Sequence, residues 1–349
     1  MHALLAHSDY LFSHEGAKIV TAGFFVGLIV GVTGMGGGAL MTPALIFLGV
    51  GNASAIVTAD LTAAAVYKSG GALVHWKHGS PNLRIAGWLM LGSVPFALLG
   101  PHLVKWFVSE KDIDSLLKEC IGFALLLAAS TYAFRLYIQL TRVRSAGGQP
   151  SDDEPTIRPL PTVLIGALGG LLVGVTSVGS GSVIMVTLLI LYPTLSPVKL
   201  VGTDLVQAVP LVLAAAISNI QVNGLEWSIT VPLIIGSVPG TLIGARFAAK
   251  VPQSVIRRGI VVVLTMSGIA LLDKAGWKPL THVTLLQRDD GSHPVLIGVI
   301  GIAMLVVVPV VWGFLRRTQG LPMFGAPTVA EIEKGAVNGT VNRASTEVP

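Results

Sequence analysis

Two stretches, Gly27-Leu-Ile-Val-Gly-Val-Thr-Gly-Met-Gly-Gly-Gly38 and Gly170-Leu-Leu-Val-Gly-Val-Thr-Ser-Val-Gly-Ser-Gly181, lie 143 residues apart and agree at eight of twelve positions. Each interrupts a long apolar segment. Glycine costs about 1 kcal/mol relative to alanine inside a helix, so a run of glycines, or alternating glycine and serine, is where a helix is expected to break. In lipid such a break exposes N–H and C=O groups, which is tolerated only where they face protein, water or a ligand. Two breaks at corresponding places in two halves point to a binding site near the middle of a membrane transporter.

The surrounding sequence demands a membrane. Charged residues make up 12 % of the 349 and hydrophobic residues 52 %, against about 25 % charged in a soluble domain. Long stretches carry almost no charge and basic residues collect at their ends, which is the pattern of a polytopic helical membrane protein. The pI near 9.4 therefore reflects juxtamembrane arginine and lysine rather than a nucleic-acid face. The single cysteine, Cys120, excludes an internal disulfide and a cysteine-based metal site. Residues 1–16 lack a basic leader and the apolar run after them is too long for a signal-peptide core, so the first segment is expected to be retained.

The predicted fold is all-α: two tandem homologous repeats, each with a glycine-broken first helix, plus one extra C-terminal transmembrane helix. The first repeat covers residues 17–141, a polar linker 142–161, the second repeat 162–273, a polar loop and additional helix 274–315, and a tail predicted to be disordered 316–349. As one helix, the segment from Ala17 to Val50 would span roughly 51 Å, well beyond a core of about 30 Å. Each broken segment therefore either crosses as two half-helices in series or folds back as a re-entrant hairpin. Two further echoes, Ala59-Asp60-Leu61 with Thr203-Asp204-Leu205 and Gly92-Ser-Val-Pro95 with Gly236-Ser-Val-Pro239, share one offset and support the duplication. The basic residues of the loops favour neither side if each half crosses four times. With re-entrant segments they favour one side, and so lean towards inverted halves. Helices are expected over about 85–104, 120–140, 228–248, 257–273 and 295–315.

Lys68 lies inside the second apolar span. At bilayer depth a charge usually faces a cavity or a partner; the competing reading is a lysine that snorkels to the headgroups. Asp60 and Asp204 are each about seven residues into their helices and either bind a coupling proton or cation or brace the neighbouring break. Their symmetric placement favours the bracing role. The breaks themselves offer backbone donors at Gly36, Gly37, Gly38 and Gly181, at half-helix N-termini that attract anions, with hydroxyls at Thr33, Thr176, Ser177, Ser180 and Ser182. Close packing through small residues is the alternative. Gln207 and Asn219 are secondary candidates, read first as interhelical hydrogen-bonding groups. Together the features suit a small, strongly charged oxyanion. Gly179-Ser180-Gly181 evokes a serine hydrolase, but no histidine or lysine lies in the interior of a later span to act as base. An enzyme is therefore not expected, and no cofactor or metal is indicated. The rival from another class is a non-transporting membrane receptor; within transporters it is a carrier of a cation or another small anion.

Gly31-Val-Thr-Gly-Met-Gly-Gly-Gly38, Ala59-Asp-Leu61 with Lys68, Gly174-Val-Thr-Ser-Val-Gly-Ser-Gly-Ser182, Leu191-Tyr-Pro-Thr-Leu-Ser-Pro197, Val201-Gly-Thr-Asp-Leu205 and Gly236-Ser-Val-Pro-Gly240 resemble the TauE/SafE sulfite exporter family, also called the 4-toluene sulfonate uptake permease family. The resemblance covers about residues 17–273. It implies transport of sulfur-containing anions such as sulfite, sulfonates, sulfoacetate or thiosulfate across a bacterial inner membrane, and "sulfur" rests on the resemblance alone. The implied partners are the anion, the bilayer and protons as a candidate coupling ion, with no nucleic acid; a homo-oligomer is compatible with such a chain. The ninth helix and the tail lie outside the resemblance.

Overall fold

Charge-poor segments of this length bury their backbone polar groups only by becoming helical, and every regular element of the computed structural model is a helix. It describes residues 14–33, 37–78, 81–145, 156–179, 181–192, 195, 197–247, 253–277 and 293–318. In chain order the helices are α1 His14–Thr33, α2 Gly38–Leu48, α3 Ala53–His78, α4 Leu83–Phe107, α5 Ile113–Ser145, α6 Pro159–Thr176, α7 Val183–Leu191, α8 Pro197–Asn223, α9 Trp227–Phe247, α10 Gln253–Lys274 and α11 Pro294–Thr318. Five of them, α1, α4, α6, α8 and α9, are long and apolar enough to cross a membrane. α3, α5, α10 and α11, of 26, 33, 22 and 25 residues, are long enough to run beside them. Leu91, Leu168, Leu242 and Ile302 point outward and are exposed, as a lipid-facing surface requires.

The expected elements are present with longer ends. α5 begins at Ile113 rather than near 120, because residues expected in a charged loop form its first turn. There Asp114 accepts a bond from the Ala53 N–H at 2.7 Å and pairs with Lys118 one turn on. Asn52 caps α3 by accepting the Ala55 N–H at 2.8 Å. Most of the linker (146–155), most of the polar loop (278–292) and nearly all of the tail (319–349) lie outside the described residues.

Glycine seams set how the helices pair. On α1, Gly23 lies against Leu233 of α9 and Gly31 against Thr241, so these two helices rise side by side in the same direction. α4 and α6 do likewise, from Gly92 against Val163 to Gly100 against Gly174. Asn82 donates its N–H to the Thr203 hydroxyl at 2.9 Å and Ser218 donates to the Leu98 carbonyl at 2.6 Å, so α8 runs with α4. α3 runs against α8: Pro81, just past α3, lies on Gly202, while Gly51, just before α3, lies on Ile229 at the start of α9. α5 opposes α10, where Ser115 donates to the Ala275 carbonyl. α11 opposes α10, anchored by His293 on Asp273 at 2.6 Å.

The broken segments fold back. Tyr192, at the end of α7, places its hydroxyl 2.6 Å from Thr162 and accepts the Arg158 N–H at 3.1 Å, at the start of α6. α6 and α7 thus form a hairpin rather than two half-crossings in series. α1 and α3 both run with α9, so α2 between them also returns the chain. Segments that echo one another in sequence therefore run in opposite directions: α1 and α3 one way, α6 and α8 the other. α1 is clasped by α9 of the second half, and α6 by α4 of the first.

The seams leave no room for side chains. A Cβ on Gly31 would sit 2.2 Å from the Thr241 carbonyl oxygen, whereas one on Gly87 meets nothing within 4 Å. Gly31→Val is expected to destabilise by about 2–3 kcal/mol through overpacking, and Gly87→Ala to be neutral or to stabilise by up to about 1 kcal/mol. Thermal unfolding of the detergent-solubilised protein separates the two; equal Tm values would contradict the close approach of α1 and α9.

Candidate functional site

The two breaks meet. A Cβ on Gly38, the first residue of α2, would lie 1.9 Å from the carbonyl oxygen of Ser177, the residue that ends α6. Ser177 holds a left-handed backbone at φ 61°, and its N–H closes the last turn on the Val173 carbonyl at 2.8 Å. Thr176 secures the turn, donating to the Leu172 carbonyl at 2.6 Å and accepting the Val178 N–H at 3.1 Å. Gly179, at φ 125°, then reverses the chain. Its carbonyl accepts the amides of Ser182, Val183 and Ile184, so the opening donors of α7 are already engaged locally. On the other side, the hydroxyl of Tyr67 lies where a Cβ on Gly37 would be, 2.0 Å away.

Asp60 ties these pieces together. It is fully buried on α3, and its Oδ2 accepts the hydroxyl of Thr42 on α2 at 2.6 Å and that of Ser177 at 2.9 Å. One carboxylate oxygen thereby joins the first half-helix to the second break. Its other oxygen, Oδ1, is buried without a hydrogen-bond partner, as is the hydroxyl of Ser182.

Lys68 is buried, 8 % exposed, and the charges of both Asp204 and Asp60 act on it. The side chain is enclosed by protein. Asp204 accepts from Gln207 Nε2 at 3.2 Å, and Ser93 of α4 donates to Gln207 Oε1 at 3.4 Å. Gln207 thus links Asp204 to a neighbouring helix.

The remaining candidates divide. Thr33 donates to the Ile29 carbonyl of its own helix at 2.7 Å. The Gly181 carbonyl accepts from Tyr132 at 3.2 Å. Asn219 donates to the Gly174 carbonyl at 2.9 Å, capping the end of α6 beside a cleft bordered by Lys105 and Asn223. Gly36 and Ser180 lie outside the described residues. Among the described residues no three His, Cys, Asp or Glu side chains converge as for a metal ion. Sequence reasoning missed Thr42, an unremarked threonine among apolar neighbours, and saw Tyr67 only as a neighbour of Lys68.

This junction of broken helices sits inside the region, residues 19–271, matched by the family model described as sulfite exporter TauE/SafE. The chain belongs to the TauE/SafE sulfite exporter family. Among curated proteins, the family likeness extends to the probable membrane transporter protein YjnA of Bacillus subtilis (strain 168). That protein is 32 % identical over 258 residues, 73 % of this chain and 99 % of the relative. The probable membrane transporter protein YdhB of the same organism is 25 % identical over 255 residues, again 73 % of this chain and 99 % of the relative. No solved structure matches the chain. As a TauE/SafE member with apolar spans, the chain is a multi-pass membrane protein of a transporter family. The matched region ends at residue 271, before α11.

Proposed function

We propose that the protein is a secondary transporter that moves a small sulfur-containing anion, of the sulfite, sulfonate, sulfoacetate or thiosulfate class, across a bacterial inner membrane by alternating access. The observation that carries the reading is the meeting of the two broken segments at Gly38 and Ser177, with the buried Lys68 on the helix whose Asp60 joins them. An anion between the breaks is balanced by the Lys68 ammonium and has the unpartnered Ser182 hydroxyl as a donor. Glycine at Gly37 and Gly38 lets the Tyr67 hydroxyl and the Ser177 carbonyl approach the start of α2 closely. Asp60 holds the breaks in register, and Gln207 holds Asp204 facing the lysine. Oppositely directed halves support two conformations of similar energy that open to opposite sides. No nucleotide-binding Gly-rich loop occurs in the sequence, so the driving force is an ion gradient or that of the substrate.

Purified protein in liposomes is expected to take up labelled sulfite or methanesulfonate with saturation, and an excess of either unlabelled anion should compete. Protein-free liposomes set the background. Uptake of neither anion above that background would sink the substrate class and favour a receptor that does not transport.

A further inference from the structure

Asp60 is hydrogen-bonded unevenly. Both of its donors, Thr42 and Ser177, fall on Oδ2, while Oδ1 has none although the residue is fully buried. An ionised carboxylate has about four acceptor sites, and leaving one buried oxygen without a donor is costly. Tyr67, two turns further along the same face of α3, is buried, and its hydroxyl lies against Gly37. The bare Oδ1 belongs to the carboxylate that joins the two breaks.

The geometry points to Asp60 as the proton-binding group of the transport cycle, taking up one proton as a monovalent anion enters beside Lys68 and releasing it as the anion leaves. This rests on the transport reading above. On loading, a proton from water forms the Oδ1–H bond; on the far side that bond breaks and the proton returns to water. Protonation has two effects. The bonds from Thr42 and Ser177 become neutral ones, roughly half as strong, which loosens α2 from the second break. Lys68 also loses one of the two carboxylates that act on it, leaving its charge to the anion.

Among the described residues, the ionisable groups around Asp60 are few. On α3 they are Tyr67 and Lys68. From α8 comes Asp204, which acts through Lys68. α2 and the turn at Ser177 contribute only hydroxyls. Asp114 with Lys118 of α5, and Glu226 at the head of α9, sit at the start of α3, around Ala53 and Gly51. Among the described residues, Asp60 is thus the carboxylate bonded to both broken segments.

Methanesulfonate is the probe for the flux test because it stays ionised across the working pH range. One proton with one monoanion is electroneutral, so each unit of inward pH gradient should raise accumulation in wild-type liposomes about tenfold, with no response to membrane potential or sodium. Accumulation that follows sodium or potential and ignores pH overturns the proposal. Infrared titration of the purified protein without anion gives a second readout. A protonated-carboxyl band should appear as pH falls and be missing from Asp60→Asn. Tyr67→Phe, which deletes one oxygen, should move its midpoint by about half a pH unit or more, and it serves if Asp60→Asn does not fold. A band that persists in Asp60→Asn, or none between about pH 5 and 9, overturns the proposal whatever the flux. If the Asp60 band titrates but wild type moves no methanesulfonate, the protonation site stands and the transport reading falls.

Discussion

Lys68→Ala is expected to cut anion flux by roughly ten- to hundredfold, the loss of a charged hydrogen-bonding partner worth about 1.5–3 kcal/mol. The same change strips Asp204 and Asp60 of a buried counter-charge, which destabilises by about 3–5 kcal/mol when one partner of a buried pair is removed. A loss of flux alone would therefore confuse binding with folding. Lys68→Met combined with Asp204→Asn removes a charge of each sign and should recover much of the thermal stability while flux stays low. Initial rates of sulfite and methanesulfonate uptake, beside Tm in detergent, separate the two effects. Flux near wild type in the folded double variant would place the lysine outside the substrate site.

Gly38→Ala is the second large effect. The new methyl would stand 1.9 Å from the Ser177 carbonyl oxygen and 2.6 Å from its hydroxyl oxygen. Ser177 has little freedom to retreat, since its N–H closes α6 and its hydroxyl bonds Asp60. We expect a loss of about 3 kcal/mol or more, seen as a lower Tm and reduced yield, with flux lost in what survives. Gly37→Ala offers a contrast. Its methyl meets the far end of a side chain, 2.0 Å from the Tyr67 hydroxyl, so Tyr67→Phe should rescue it in part. Ser177→Ala should not rescue Gly38→Ala, because the clash is with backbone. Equal rescue of both would contradict the contact between the two breaks.

Much of this was legible along the chain. The glycine runs marked both breaks, because glycine inside an apolar segment has no cheaper explanation. Asp60, Asp204 and Lys68 stood out because a charge among twenty apolar residues is expensive. What one dimension hides is partnership and direction. Apolar periodicity is the same for a helix that rises and one that returns, so the fold-back of α7 onto α6 needed Tyr192 and Thr162 in space. Thr42 gave no signal, since a lone threonine in a helix usually bonds its own backbone, as Thr33 and Thr176 do. The charged start of α5 read as a loop because Asp114 finds its second partner at Ala53, 61 residues away.

The exchange of clasping helices between the halves has a consequence for how the chain matures. α1 emerges early, yet the helix that covers its glycine seam is α9, so Gly23 waits for Leu233, more than 200 residues later. Contacts of such sequence separation slow folding, because loop-closure entropy is lost before they form. Until then the seam of α1 exposes a strip of backbone to lipid or to other chains, and the first half on its own is an unfinished object. The junction at Gly38 and Ser177 takes one residue from each half, so it is complete only when both are in place.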